Sequence, residues 1–208
     1  MDTYRRLERL RSLHPCLKLG FHSVVSRFNV ESLLRVYDYV KTLHPDSYII
    51  EITEERSELF NKGKDIAPSA NAYEKFVEGL ARKISTDFKH SEFLSRIIQS
   101  YRAVYYGNVS KWLRERKQTI PCFAAYASCQ ISPTGDVWPC CILGYDKPLG
   151  NLRESGYDFR AVWSSRQADE IRAFIRKNEC SCPLANAHYT NMLCNFSTMT
   201  RILLRAIT

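Results

Sequence analysis

The sequence predicts an α/β protein that ends in a small α+β domain built around a β-hairpin, and three observations carry that prediction. Residues 15–60 alternate strand-like and helix-like patterns in the order β-α-β. From about residue 61 to 119 the apolar residues recur at three- and four-residue steps, as in helices. From Pro121 onward lie seven of the eight cysteines and five of the eight prolines, together with the tight turn signals. The chain therefore divides into 1–66, an α/β segment; 67–119, a helical connection; and 120–208, the cysteine-rich domain.

Residues 2–13 place Tyr4, Leu7 and Leu10 on one helical face, and Pro15 ends that helix. In "CLKLGFHSVVSRF", Leu17, Leu19 and Phe21 alternate ahead of a β-branched pair, which predicts a strand. Asn29 is placed to cap the helix "VESLLRVYDYVKTLH", with Leu33, Val36 and Val40 at helical spacing. After Pro45, "SYIIEITEER" reads as a second strand. A β-α-β unit implies a right-handed crossover and parallel strands. Parallel sheets have both faces covered, so residues 15–60 are expected to be a slice of a larger α/β structure.

The helices "NAYEKFVEGLARKIS" and "SEFLSRIIQSYRAVYYGNVSKWLRERKQ" follow. Tyr101, Tyr105, Tyr106 and Trp112 in the second are read as core residues, although aromatics can also stack on bases. In the last segment, "TNMLCNFSTMTRILLRAI", Met192, Phe196, Met199 and Leu203 share a helical face that is expected to pack back on the protein. Arg201 and Arg205 beside that stripe leave membrane association as the alternative.

Thirty Lys plus Arg against twenty-two Asp plus Glu leave a net charge of +8. No run of five or more basic residues occurs, so a solvated basic surface is expected in place of a nucleic-acid footprint. No apolar run approaches the roughly 18 residues of a membrane helix, and the N-terminus lacks a signal-peptide core. A cytoplasmic location is expected. In a reducing compartment, cysteines at motif spacing bind metal or do chemistry more often than they form disulfides.

The cysteines form two groups: Cys122, Cys129, Cys140 and Cys141, then Cys180, Cys182 and Cys194. Zinc and iron-sulfur clusters both take four thiolates converging from short segments, and cysteine content alone does not separate them. Two Cys-x-x-Cys knuckles, the usual zinc-ribbon pattern, are absent. The pairs here are Cys140-Cys141 and Cys180-x-Cys182. Unligated cysteine packing as a small hydrophobe is the plain alternative. The turn Ser132 to Gly135, with Pro at its second position and Gly at its fourth, suits a hairpin. Regular pairing across it would set Cys129 nearer to Cys140 than Cys122 is, so pairing Cys122 with Cys140 requires the strand to bend or end before Cys122.

Cys122, twelve residues, Gly135, four residues, Cys140 resembles the opening signature of the auxiliary-cluster domain, SPASM or its shorter twitch form, found at the C-terminus of many radical S-adenosylmethionine (radical SAM) enzymes. The resemblance continues through "PTGDVWPC", "GNL" at Gly150 to Leu152 and "VWSS" at Val162 to Ser165, ahead of a basic helix and a closing cysteine cluster. The resemblance implies a four-iron, four-sulfur cluster on Cys122, Cys140, Cys180 and Cys182, with Cys141, Cys194 or His188 as substitutes for one of them. Gly135 and the Gly150-Asn151 backbone are candidates to donate N–H···S bonds. Residues 17–56 look like the later strands of the radical SAM partial (β/α) barrel. Asn29, Glu54 and Arg56 would then face the S-adenosylmethionine side, at the C-terminal ends of strands.

The chain departs from that family in lacking a Cys-x-x-x-Cys-x-x-Cys loop, its only cysteine before residue 122 being Cys16. It is expected to be the C-terminal portion of such an enzyme, through truncation, gene splitting or incomplete sequence. S-adenosylmethionine would be a cofactor only if the missing N-terminal core were supplied. The family's substrates imply a peptide, nucleoside or sugar. The auxiliary cluster would serve electron transfer or substrate anchoring. A structural zinc module with a basic partner-facing surface and a degenerate remnant are the other readings.

Overall fold

A computed structural model describes residues 2–88 and 93–207, and by packing it divides into two units, Met1–Thr53 with Ile66–Leu80, and Glu54–Asp65 with Ala81–Thr208. In the first unit, helix α1 (Asp2–Leu13) leads to strand β1 (Gly20–Val25), helix α2 (Leu33–Lys41) and strand β2 (Ser47–Ile52). β1 and β2 pair in parallel, with Gly20 opposite Ser47 and Val25 opposite Ile52, as the β-α-β pattern predicts. The strand starts at Gly20, later than the pattern from Leu17 suggests. The alternation nevertheless survives, with Leu19 and Val25 buried on one side. Leu19 is tied to β2's approach by its N–H, which donates to Asp46 Oδ2 at 2.7 Å.

Asn29 does not cap a helix. α2 begins after Ser32, and residues 27–32 form turns. The Asn29 side chain instead fastens the end of β1: its Oδ1 accepts from the Ser26 N–H at 2.8 Å and its Nδ2 donates to the Val24 carbonyl at 2.8 Å. A short polar side chain can satisfy backbone groups in a turn as readily as at a helix start, and here the turn won. The buried face of α2 is Leu33 and Val40, whereas Val36 is 39% exposed. Helix α3 (Ala70–Phe88) sets Tyr73, Phe76 and Leu80 into the first unit's core. Gly79 on that face permits close approach to α2, because a Cβ there would fall 2.5 Å from Leu34 Cδ1.

In the second unit, helix α4 (Phe93–Glu115) buries Val104, Tyr105, Tyr106, Val109 and Leu113, so those tyrosines are core. Strands β3 (Gln130–Ile131), β4 (Asp136–Trp138) and β5 (Gly150–Asn151) form a small antiparallel sheet in sequence order. Helices α5 (Phe159–Trp163), α6 (Arg166–Arg176), α7 (Ala185–Leu193) and α8 (Phe196–Ile207) complete it. Asp158 and Ser165 cap α5 and α6 by accepting from the Ala161 and Ala168 amides.

The last segment is two helices and not one, and its buried stripe on α8 is Thr198, Ile202 and Ala206. Phe196 and Leu203, expected inside, are 87% and 41% exposed. The break at Cys194 and Asn195 resets the helical phase, with Asn195 Oδ1 accepting from the Thr198 N–H at the new start. α8 packs on α4 and α7. Among the described residues no helix is long and apolar enough to cross a membrane.

Candidate cluster-binding site

The site is assembled from three places in the chain, and each is held by identifiable contacts. The hairpin turn delivers Cys140. Gly135 donates its N–H to the Ser132 carbonyl at 3.0 Å and adopts φ +93, a left-handed conformation that glycine enters without cost. The Asp136 carboxylate accepts from Thr134 and Ser132 hydroxyls and from Asn151 Nδ2, and those bonds, Thr134's foremost, hold its pKa low. β5 is thereby tied to the turn at its side-chain level as well as through the sheet.

Cys122 is brought round by a tight loop. Ala127 donates to the Phe123 carbonyl at 2.8 Å, Ala125 donates to the Ser128 carbonyl at 2.9 Å, and Ala125 sits at φ +62. The β3 strand has thus ended before Cys122, as the pairing of Cys122 with Cys140 requires. Two side chains that sequence reasoning missed clamp this loop. Arg172 Nε donates to the Ala125 carbonyl at 2.8 Å while its guanidinium lies over Trp163, and Asn191 Oδ1 accepts from the Phe123 N–H at 2.6 Å.

The closing loop with Cys180 and Cys182 lies against α4. Trp112 Nε1 donates to Ser181 Oγ at 2.9 Å, and the Tyr105 hydroxyl donates to the Pro183 carbonyl at 3.3 Å. Glu54 Oε1 accepts from the Ala185 N–H at 3.1 Å, at the first residue of α7, and Glu54 Oε2 pairs with Arg56. Glu54 and Arg56, expected on the S-adenosylmethionine side, are therefore placed in the second unit, against the cysteine loop. Asn29 lies in the first unit, at the end of β1.

The four thiols sense one another. Burial pushes Cys140 up to about 12, and neighbouring Cys122 and Cys180 add to the rise. Burial and Cys122 push Cys180 up to about 11. Cys182 is raised well above its ordinary value, first by burial and then by Cys140, Cys122 and Glu54. Opposing this, the backbone amides of Leu143 and Ile142 act to lower the pKa of Cys140, as those of Leu184 and of Cys180 itself do for Cys182 and Cys180. The Gly135 N–H, a candidate donor to sulfur, is used in its own turn instead. Lys147, whose ammonium lies 4.3 Å from the Phe174 ring centroid, is the nearby cation that favours the Cys180 thiolate.

The remaining cysteines are engaged elsewhere or exposed. The Cys141 thiol is buried and donates to Gln130 Oε1 at 2.7 Å. Cys129 packs against the same apolar cluster as Val137, Leu149 and Ile175, and burial raises its pKa. Cys194 and Cys16 are exposed. His188 is buried beside α4, its Nε2 paired with Asn108 Nδ2 at 3.0 Å and its ring edge-on to Tyr105. Burial lowers its pKa to about 4.

Among the described residues no three His, Cys, Asp or Glu side chains are gathered tightly enough to hold a single metal ion. One tetrahedral zinc would draw each sulfur to about 2.3 Å from the ion. The donor set does fit an iron-sulfur cluster: four thiols from three segments against one apolar wall, with backbone amides that favour the thiolates of Cys140 and Cys182. The second unit thus holds a thiol-lined site whose candidate ligands run from Cys122 to Cys182. A family model described as SPASM, an iron-sulfur cluster-binding domain, matches residues 122–183, and the chain is a SPASM-domain-containing protein. No curated protein and no solved structure matched the chain.

Proposed function

We propose that Cys122, Cys140, Cys180 and Cys182 hold a four-iron, four-sulfur cluster, and that the chain is the C-terminal portion of a radical SAM protein in which this cluster is auxiliary. The observation that carries the reading is that these four cysteines share one apolar cluster within the segment that matches the SPASM domain. When bound, such a cluster supplies one-electron transfer. The chain's own residues set its surroundings: Leu143, Ile142 and Leu184 amides stabilise thiolate charge, and Glu54 and Lys147 add opposite charges near Cys182 and Cys180. Because burial keeps the Cys140, Cys180 and Cys182 thiols protonated at neutral pH, loading must release protons.

The role of the cluster is electron transfer to or from a substrate radical, or anchoring of a substrate that is a peptide, nucleoside or sugar. S-adenosylmethionine cleavage belongs to a Cys-x-x-x-Cys-x-x-Cys core that this sequence does not contain. The parallel pairing of β1 and β2 across α2 supports reading residues 1–66 as later elements of a partial barrel, with Asn29 on its cofactor side. A cytoplasmic setting suits thiols that must stay reduced. Replacing Cys140 by Ala tests the ligand set. After anaerobic reconstitution the variant should lose most of its iron and sulfide, and full retention of both would remove Cys140 from the site.

A further inference from the structure

A cleft of about 540 Å³ opens beside Cys122, within the range of small-ligand sites. Its apolar wall includes Ile120, Phe123 and Ile175, and its polar groups include Gln118, Tyr126 and Arg176. No carboxylate is among its described lining residues, and Arg176 makes no ion pair among the described residues. The Arg176 guanidinium donates to the Tyr126 hydroxyl oxygen at 2.8 Å. That oxygen accepts, so the Tyr126 hydroxyl proton is left to donate to a further group. Guanidinium and hydroxyl therefore offer adjacent donors in the lining of the cleft.

We propose that this cleft binds a small organic carboxylate with an apolar body, of about the size of one amino acid, its carboxylate taken by Arg176 and Tyr126 and its body laid along Ile120 and Phe123. A carboxylate matches the planar fork of an arginine better than other anions of that size. A hydrocarbon body gains here from burying its apolar surface against Ile120 and Phe123, which a hydrated ion does not. Since Cys122 lines the same cleft, the ligand would sit at the edge of the cluster. The placement rests on the cluster reading for that last point alone; the recognition chemistry stands without it.

The test uses the full chain after anaerobic reconstitution, titrated with N-acetyl-L-phenylalanine and followed by calorimetry, with iron content measured on the same sample. The neutral N-acetyl-L-phenylalaninamide and inorganic phosphate serve as controls. The acid should bind, and both controls should bind at least about tenfold more weakly. Arg176→Gln should weaken the acid by about tenfold while leaving the amide unchanged, and Tyr126→Phe should weaken it by less. Arg176 is exposed, so an unchanged melting temperature is expected of the first variant. Equal binding of acid and amide, no binding of the acid, or an Arg176→Gln variant that binds as the wild type does would each overturn the inference. An iron-free sample that still distinguishes acid from amide would instead overturn the cluster reading and leave the cleft assignment intact.

Discussion

Cys140 shows what the site asks of a single residue. Its thiol is buried and, at about 12, strongly disfavours the thiolate, yet the backbone amides of two successive residues, Ile142 and Leu143, act to lower its pKa. Amides directed at an uncharged thiol contribute little; directed at a thiolate they are charge-assisted and stronger. The same logic runs in reverse at His188, which is buried neutral. Its folded pKa, about 4, lies below the ordinary 6.5. Stability linked to it is therefore present above about 6.5 and is lost as the pH falls towards 4, amounting to about 3 kcal/mol at most. Urea unfolding followed between pH 7 and pH 4 should show this loss, and His188→Gln should flatten it. An unchanged pH profile in that variant would show that His188 is not the group responsible. Among the cysteines, spacing set Cys129 and Cys141 apart as packing residues, and both pack in the apolar cluster, while Cys122 and Cys140 stand as the proposed ligands. The thiol of Cys141 on Gln130 was not legible there, since a hydrogen bond across a two-residue strand leaves no periodic mark.

At the scale of elements, the hairpin is the piece on which Cys140's position depends. Its turn uses Gly135 at φ +93, where a Cβ would stand 3.1 Å from Arg153 Cγ and 3.2 Å from Asn151 Oδ1. Gly135→Ala should cost about 1–2 kcal/mol from the left-handed backbone alone. It should also lower the fraction of protein that retains iron after reconstitution. A variant as stable and as well loaded as the wild type would mean that the turn does not position the ligand. The turn was legible because its residues act locally. The supports of the closing loop were not: Trp112 reaches Ser181 and Glu54 reaches Ala185 across 69 and 131 residues of sequence. Nor was the exposed face of α8, because the two-residue break after α7 shifts the phase of the apolar repeat.

Over the whole molecule, a β-α-β segment and a cysteine-rich domain could be read from composition and period, since both are written in short-range patterns. Packing is not. The segment Glu54–Asp65 belongs by its contacts to the second unit although it continues the β2 sequence, and it carries the Glu54–Arg56 pair to the cysteine loop. Cofactor binding is tied to this packing, because the thiols come from three segments that only the folded state brings together. Binding free energy at such a site is folding free energy. The reconstituted chain should therefore melt at a higher temperature than the iron-free chain in differential scanning calorimetry. Identical melting of the two would mean that the cysteines are not joined by a common cofactor.

Iron and acid-labile sulfide content of the anaerobically reconstituted wild-type chain tests the central claim most directly. A cluster on Cys122, Cys140, Cys180 and Cys182 predicts about four irons and about four sulfides per chain. One zinc per chain with no sulfide would contradict it and make the domain a structural zinc module.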